Sequence, residues 1–189
     1  MNPGKIQLAY NQHADQRLQR TQNQLIATLM RYYDAQVEFA KISVSQLCRD
    51  AQLTRQTFYR HYGNIGEVVE VSCVRMLNQF LQRVDHTYDS SRVAAQLVVD
   101  VLDQQRSLLA VMFWSKVDEA VIQYITGDIL RVYGFQDDQT RHKPFIAEMT
   151  ARSIINFARL MLKQPQIVKA DLVQLYTQMV PLPAVIFKD

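Results

Sequence analysis

The chain has 189 residues, of which 48% are hydrophobic and 21% are charged, and its net charge is +3. These proportions are typical of a globular domain, and they exclude collagen-like, mucin-like and wholly disordered chains. No apolar run approaches the roughly 20 residues that cross a bilayer, and the first residues lack the pattern of a secretory signal. We therefore expect a cytoplasmic protein without a membrane partner, whose two cysteines, Cys48 and Cys73, are buried thiols.

Positive charge is concentrated in the first third of the chain. Residues 1–62 hold eight Lys and Arg against four Asp and Glu, a balance of +4, whereas residues 63–189 hold thirteen against fourteen, a balance of −1. This asymmetry favours an anionic partner for the N-terminal part. An ordinary solvated surface would give the same balance of charges. The charge distribution alone therefore does not distinguish an anionic partner from an ordinary solvent-exposed surface.

Helical spacing of apolar residues recurs along the whole chain. No proline interrupts residues 4–143, and neither strand-type alternation nor hairpin signals occur. Because proline breaks helix interiors, this stretch can hold long helices. The pattern predicts an all-α fold of about nine helices, with a three-helix N-terminal domain over residues 1–63 and a larger helical domain over residues 64–189.

The apolar stripes predict the order of these helices. A first helix covers the stripe from Leu18 to Val37, a very short one covers residues 44–51, and a helix of about 20 residues runs from about residue 65 to 84. Residues 134–143 are polar and are predicted to form a loop. The remaining helices are predicted over residues 91–104, 107–114, 116–133, 144–162 and 168–180.

Residues 42–62 predict two short helices joined by a tight turn. Ser43 and Gln46 form a capping box, in which the serine hydroxyl accepts from the amide three residues on. This helix ends near Ala51, and after the turn Thr54 supplies the N-cap oxygen of a second helix. Such an arrangement is a helix-turn-helix, and we expect its inner corner to be filled by Leu47, Leu53 and Phe58.

The second short helix carries cationic and hydrogen-bonding side chains with no acid among them. Arginine and glutamine can hydrogen-bond the edges of guanine and adenine, while threonine, tyrosine and histidine can donate to phosphate oxygens. A solvated polar face on a purely structural corner is the alternative. The pattern favours double-stranded DNA as the partner, contacted by Arg55, Gln56, Thr57, Tyr59, Arg60 and His61.

The run Thr-Arg-Gln-Thr-Phe-Tyr-Arg-His-Tyr-Gly-Asn, with a capped short helix before it and a long helix after it, resembles the DNA-binding domain of the TetR family of bacterial regulators. The resemblance covers about residues 15–77. It implies that Arg55, Gln56, Thr57 and Arg60 meet base edges and that Tyr59 and His61 hold phosphates. By the same resemblance, Thr54 caps the recognition helix, and Arg17, Arg20 and Thr21 lie at the start of the first helix, where family members touch the DNA backbone. We also expect the cap residue Ser43 to lie at the DNA interface.

Two residues depart from the family's pattern. Gln52 stands where the turn usually has a glycine, so it must adopt a left-handed or distorted backbone without glycine's freedom. Ile65 stands where a lysine commonly opens the fourth helix and contacts phosphate. The second departure predicts a weaker set of phosphate contacts.

Large aromatic side chains are frequent in the middle helices. Most such residues simply fill a core, but as a group they also fit a small-molecule pocket. The TetR resemblance implies such a pocket, because the family's second domain typically binds an inducer. We expect an effector of unknown identity to contact Trp114, Phe113, Tyr124, Tyr88 and Tyr133.

The last two long helices carry apolar residues on more than one face, as helices do when they are deeply buried or shared with a partner. We therefore expect a homodimer, with these helices forming a four-helix interface. Together the patterns predict a ligand-responsive transcriptional regulator of TetR type, for which repression is the family's usual mode.

Two other functions stay open. The chain could be a TetR-like adaptor or co-activator that acts through a partner protein, or a small helical enzyme. The four histidines are scattered, and motifs for nucleotide cofactors or catalytic serines do not occur. We expect no metal, no cofactor and no catalytic activity.

Overall fold

A computed structural model describes residues 16–84, 91–133 and 142–180. Within these ranges the chain forms nine α-helices and one short 3-10 helix, Phe39–Lys41, and it contains no strand. The predicted all-α class is therefore confirmed. The helices are α1 Gln16–Asp34, α2 Val44–Asp50, α3 Arg55–His61, α4 Ile65–Val84, α5 Ser91–Gln104, α6 Arg106–Trp114, α7 Asp118–Tyr133, α8 Lys143–Lys163 and α9 Lys169–Met179.

Three of these helices end in the same motif. After α1, the Gln36 amide bonds to the Tyr33 carbonyl at 2.9 Å and the Val37 amide bonds to the Tyr32 carbonyl at 3.0 Å. The paired bonds are those of a Schellman motif, which needs a left-handed residue at its centre. Gln36 has φ 55, and Gln52 after α2 and Lys116 after α6 have φ 57 and 59.

The motif corrects two predicted boundaries. The stripe to Val37 predicts a longer first helix, but α1 stops at Asp34 because Gln36 turns the chain. The helix predicted from residue 116 begins at Asp118, because Lys116 has a positive φ and closes α6 instead. Of the predicted polar loop over residues 134–143, residues 134–141 lie outside the described ranges.

The residues group into two compact units, the first comprising Met1–Asn78 and Ser107–Val117 and the second Gln79–Arg106 and Asp118–Asp189. In the first unit α1 packs on α2, and α2 packs on α3. Gly66 lets α4 approach Val117 closely, because a Cβ there would lie 3.3 Å from a Val117 methyl carbon. The predicted functional division at residue 63 stays a prediction.

A buried polar network joins α1 to α4 inside the first unit. The Gln22 amide donates to the Ser72 hydroxyl at 3.1 Å, and that hydroxyl donates to the Val68 carbonyl at 2.8 Å. Arg75 donates to the Gln22 side-chain oxygen at 3.3 Å. Because buried polar groups are costly when unpaired, this network fixes one register of α1 against α4.

The second unit is built from two helix pairs, α7 with α8 and α5 with α9. Ala147, Ala151 and Ala158 are fully buried along α8, and such small side chains permit close approach of a neighbouring helix. Ion pairs join α8 to α7, since Arg159 contacts Asp118 at 2.5 Å and Arg152 contacts Glu119 at 2.8 Å. In the described part of the chain, no helix combines the length and hydrophobicity needed to cross a bilayer.

Candidate nucleic-acid interface

The two short helices of the predicted helix-turn-helix corner, α2 and α3, start at the caps predicted from the sequence. The Gln46 amide donates to the Ser43 hydroxyl at 3.1 Å, and the Thr57 amide donates to the Thr54 hydroxyl at 3.1 Å. Each cap satisfies a backbone donor that has no partner within its helix. The Thr54 and Thr57 hydroxyls also lie 2.9 Å apart, so the Thr57 side chain is engaged at the start of α3.

The turn between α2 and α3 is the second Schellman motif. The Gln52 amide bonds to the Arg49 carbonyl at 3.1 Å, and the Leu53 amide bonds to the Cys48 carbonyl at 2.8 Å. Gln52 thus takes the left-handed backbone that its position predicts. In the corner, Leu47 and Phe58 are fully buried and Leu53 is half-buried.

One face of α3 is anchored and the opposite face is open. Phe58 and Tyr62 are buried, with ring centroids 5.7 Å apart. His61 is half-buried, with its ring 6.3 Å from that of Tyr62. The exposed side chains of this helix are Arg55, Gln56, Tyr59 and Arg60.

Tyr59 is held in place although its side chain is 51% exposed. Its ring stands perpendicular to Phe58, with centroids 5.3 Å apart, and the Arg55 guanidinium carbon lies 5.9 Å from its centroid. The second distance is at the outer edge of a cation–π contact. The buried Phe58 therefore orients Tyr59, and Tyr59 lies beside Arg55 on the exposed face.

The corner is fastened to α1 at the end of α2. Arg31 donates to the Asp50 carbonyl at 3.1 Å, and the Tyr32 hydroxyl donates to the Asp50 carboxylate at 2.5 Å. Burial, with the Asp50 hydrogen bond adding to it, raises the pKa of Tyr32 to about 12. The hydrogen-bond partner of the Asp50 carboxylate is thus the neutral Tyr32 hydroxyl rather than a cationic side chain.

The start of α4 is capped by a pair that the sequence interpretation missed. The Glu67 amide donates to the Asn64 side-chain oxygen at 3.0 Å, and the Glu67 carboxylate accepts from the Gly63 amide at 2.8 Å. The signal was present as the spacing Asn-x-x-Glu, a variant of the capping box. Ile65 is buried at this point, so α4 opens with a core contact and an acid.

The remaining predicted DNA contacts lie on α1. Thr21 is buried, which leaves little of its side chain for a phosphate. Arg17 belongs to α1, but its side chain lies outside the described residues. Arg20 is exposed on the same helix.

The aromatic residues predicted to hold an effector are divided between the two units. Trp114 and Phe113 are half-buried on α6 in the first unit, while Tyr124 is buried on α7 in the second. Tyr133 ends α7, but its side chain is outside the described residues, as is the whole of Tyr88. The structure brings Trp114 together with Tyr33 and Phe39, neither of which the sequence interpretation selected.

The two cysteines are free and buried, as predicted. Burial raises the pKa of Cys73 to about 12 and also raises that of Cys48, against which the nearby Arg55 acts. A thiolate is the reactive form of cysteine, so neither residue has the properties of a nucleophile. Within residues 16–84, 91–133 and 142–180, no group of three or more His, Cys, Asp and Glu could hold a metal ion.

Apolar side chains on the last two helices are exposed in the single chain. On α8, Phe145 is 69% exposed and Met149 and Leu160 are each 51% exposed. On α9 the exposed apolar residues are Val168 just before the helix and Met179 at its end. Their opposite faces are core, as shown by the packing of Phe157 on the fully buried Tyr176 with ring centroids 5.1 Å apart.

Neither a family model nor a curated protein matches this chain. Among solved structures, the chain is similar to Lin0861 from Listeria innocua, with 28% sequence identity and a TM-score of 0.76. The match covers 87% of this chain and 91% of that chain. The two proteins therefore share the all-helical fold over most of their length.

Proposed function

We propose that the chain is a DNA-binding transcriptional regulator of TetR type that acts as a homodimer and represses until a small effector binds. The all-helical fold is compatible with a regulator, and the residue pattern of the corner supports the finer assignment. The proposal gives the chain no catalytic role, no metal and no cofactor.

The observation that carries the proposal is the exposed face of α3. Arg55, Gln56 and Arg60 project from a helix that is capped at its start and anchored by Phe58 on its inner side. An α-helix fits the major groove, where arginine and glutamine distinguish guanine and adenine by paired hydrogen bonds. Tyr59 adds an exposed hydroxyl that can donate to phosphate.

The exposed apolar stripe on α8 and α9 supports a dimer. Large apolar patches are uncommon on monomeric proteins and often mark an interface. Phe145, Met149 and Leu160 recur along α8 near the spacing of one helix face. Two copies joined there would present two α3 helices, which is what a DNA site with two half-sites about 34–36 Å apart requires.

The test is selection from a random-sequence duplex library with the wild-type protein, followed by fluorescence anisotropy on the selected duplex at several salt concentrations. We expect affinity to fall steeply with salt and Arg55→Ala or Arg60→Ala to lose about 1–3 kcal/mol for each base contact removed. Lys41→Gln removes one exposed positive charge that lies outside α3 and is the matched control. Failure to enrich any duplex, or unchanged affinity in both arginine variants, would refute the proposal.

A specific observation favours the adaptor as a second candidate. The buried Ile65 and the carboxylate of Glu67 occupy the start of α4, where a lysine would otherwise contact phosphate. An acid at that position disfavours DNA. If the library enriches no duplex while the protein stays folded, the adaptor function becomes the better explanation of this surface.

A further inference from the structure

A hollow of about 370 Å³ lies between the chain segment that follows α1 and the end of α6. All its walls belong to the first unit. Its volume is near the lower end of the range for small-molecule sites, roughly 300–1,000 Å³. The lining residues are Tyr33, residues 36–40, Trp114 and Lys116.

Three aromatic rings meet in this hollow, and each is only half-buried. The Trp114 ring centroid is 5.1 Å from that of Phe39 and 5.9 Å from that of Tyr33, and both pairs are close to perpendicular. A perpendicular pair covers the face of only one of its rings, and all three rings line the hollow. The electron-rich face of an aromatic ring attracts cations.

The polar end of the tryptophan is already satisfied. Its indole N–H donates to the Val37 carbonyl at 3.0 Å, and this bond holds the ring at the edge of the segment that leads to α2. A ligand that enters the hollow therefore meets the ring system of Trp114 rather than its single donor. The site therefore does not suit a ligand that must accept a hydrogen bond from the indole N–H.

Two helices direct their C-terminal ends to the same place. α1 ends at Asp34 and α6 ends at Trp114, and the Schellman residues that follow them, Gln36 and Lys116, both line the hollow. The C-terminal end of a helix carries partial negative charge, but the Schellman bonds already engage the last carbonyls of both helices.

The formal charges on the rim are those of Glu38 and Lys116. Glu38 is 62% exposed and pairs with the exposed Lys41 at 2.7 Å, an arrangement that binds weakly and can be exchanged for another cation. Lys116 repels a cationic ligand. Removing its charge should therefore affect binding in the opposite sense to removing the charge of Glu38.

We infer that the hollow is a binding site for a small organic cation with an alkylated ammonium group. The aromatic rings and the Glu38 carboxylate both favour that charge. The site lies in the same unit as the helix-turn-helix, but the inference does not depend on DNA binding. It shares only Trp114 with the effector residues predicted from the sequence.

The intrinsic fluorescence of the protein reports on this site, because Trp114 is its one tryptophan. The full chain is titrated with choline and, separately, with 3,3-dimethyl-1-butanol, which replaces the ammonium nitrogen of choline with carbon. We expect a saturable change in emission, with choline bound about tenfold more tightly than its neutral counterpart. Equal affinity of the two probes, or no saturable response to choline, would overturn the inference.

Charge variants on the rim separate a cation site from a non-specific hollow. Glu38→Gln should weaken choline binding about 2–5-fold, and Lys116→Gln should strengthen it by a similar factor. Both residues are exposed, so the fold should survive either change, and Lys163→Gln, at an exposed position of the second unit, controls for net charge. If both rim variants bind choline as the wild type does, the assignment of a cation to this site is wrong.

Discussion

Among the residues that the structure describes, three that are not glycine have a left-handed backbone. Gln36, Gln52 and Lys116 occupy the centre of a Schellman motif although none is a glycine. The left-handed region costs an L-residue roughly 1–2 kcal/mol. The sequence predicts this strain only at Gln52, where the comparison with a family pattern shows that a glycine is missing.

We expect Gln52→Gly to raise the free energy of unfolding by about 0.5–1 kcal/mol, because relief of strain exceeds the extra chain entropy that glycine loses on folding. Urea denaturation followed by circular dichroism measures the change. Gln52→Ala keeps a Cβ in the same backbone and should give no such gain. A glycine variant that is no more stable than the alanine variant would show that the turn is unstrained.

Burial of Tyr62 predicts a loss of stability at alkaline pH. Burial raises its pKa from the ordinary 10.0 to about 12, so the folded chain binds this proton more tightly than the unfolded chain does. The corresponding stability is complete below pH 10 and is lost as the pH rises towards 12. Denaturation at pH 9 and pH 11 should show a smaller decline for Tyr62→Phe than for the wild type. Tyr59→Phe, on the exposed face, is the control and should keep the wild-type decline.

Whole elements were easier to predict than their ends. The apolar periodicity gave the existence and order of the helices, and the α5 bounds agree with the predicted residues 91–104. The end of α1 and the start of α7 differ from their predicted positions, because Gln36 and Lys116 adopt a left-handed backbone that apolar periodicity does not reveal. The hollow could not be predicted, since it depends on residues 33–40 meeting residues 114–116 across a long separation in sequence.

The start of α4 is the element where stability and DNA binding should oppose each other. Glu67 caps the helix through the Gly63 amide, but its negative charge disfavours a phosphate nearby. We expect Glu67→Gln to bind duplex DNA more tightly, with the largest gain at low salt, while the free energy of unfolding falls by about 0.5–1 kcal/mol. Anisotropy and urea denaturation measure the two effects. Weaker DNA binding in this variant would mean that the cap itself positions α3.

At the scale of the whole molecule, the exposed stripe on α8 distinguishes core from interface. Ile155 is 3% exposed and belongs to the chain's own core, whereas Leu160 is 51% exposed. We expect light scattering to give a dimer of about 44 kDa for two chains of 22.0 kDa. Leu160→Asp should yield the monomer and abolish binding to the selected duplex, while Leu160→Met should preserve both. A Leu160→Asp protein that stays dimeric would place the interface elsewhere.

The hollow and the proposed DNA-reading helix belong to one unit, and this predicts that their ligands influence each other. The Trp114 indole N–H donates to the Val37 carbonyl, and residues 38–42 connect Val37 to Ser43, which caps α2. A cation that shifts this segment changes how α2 supports α3. A coupling of about 1–3 kcal/mol corresponds to a change of roughly 5–150-fold in affinity, and linkage requires the same factor in both directions.

The measurement is a choline titration of Trp114 fluorescence with and without the selected duplex, paired with a duplex titration with and without saturating choline. We expect both experiments to give one common factor that differs from unity, since each ligand then favours a different arrangement of the same segment. Val37 contributes its backbone carbonyl, so Trp114→Phe, which removes the indole donor, should reduce the coupling in the duplex titration. If choline binds with equal affinity whether or not duplex is present, the hollow binds its cation without acting as a switch.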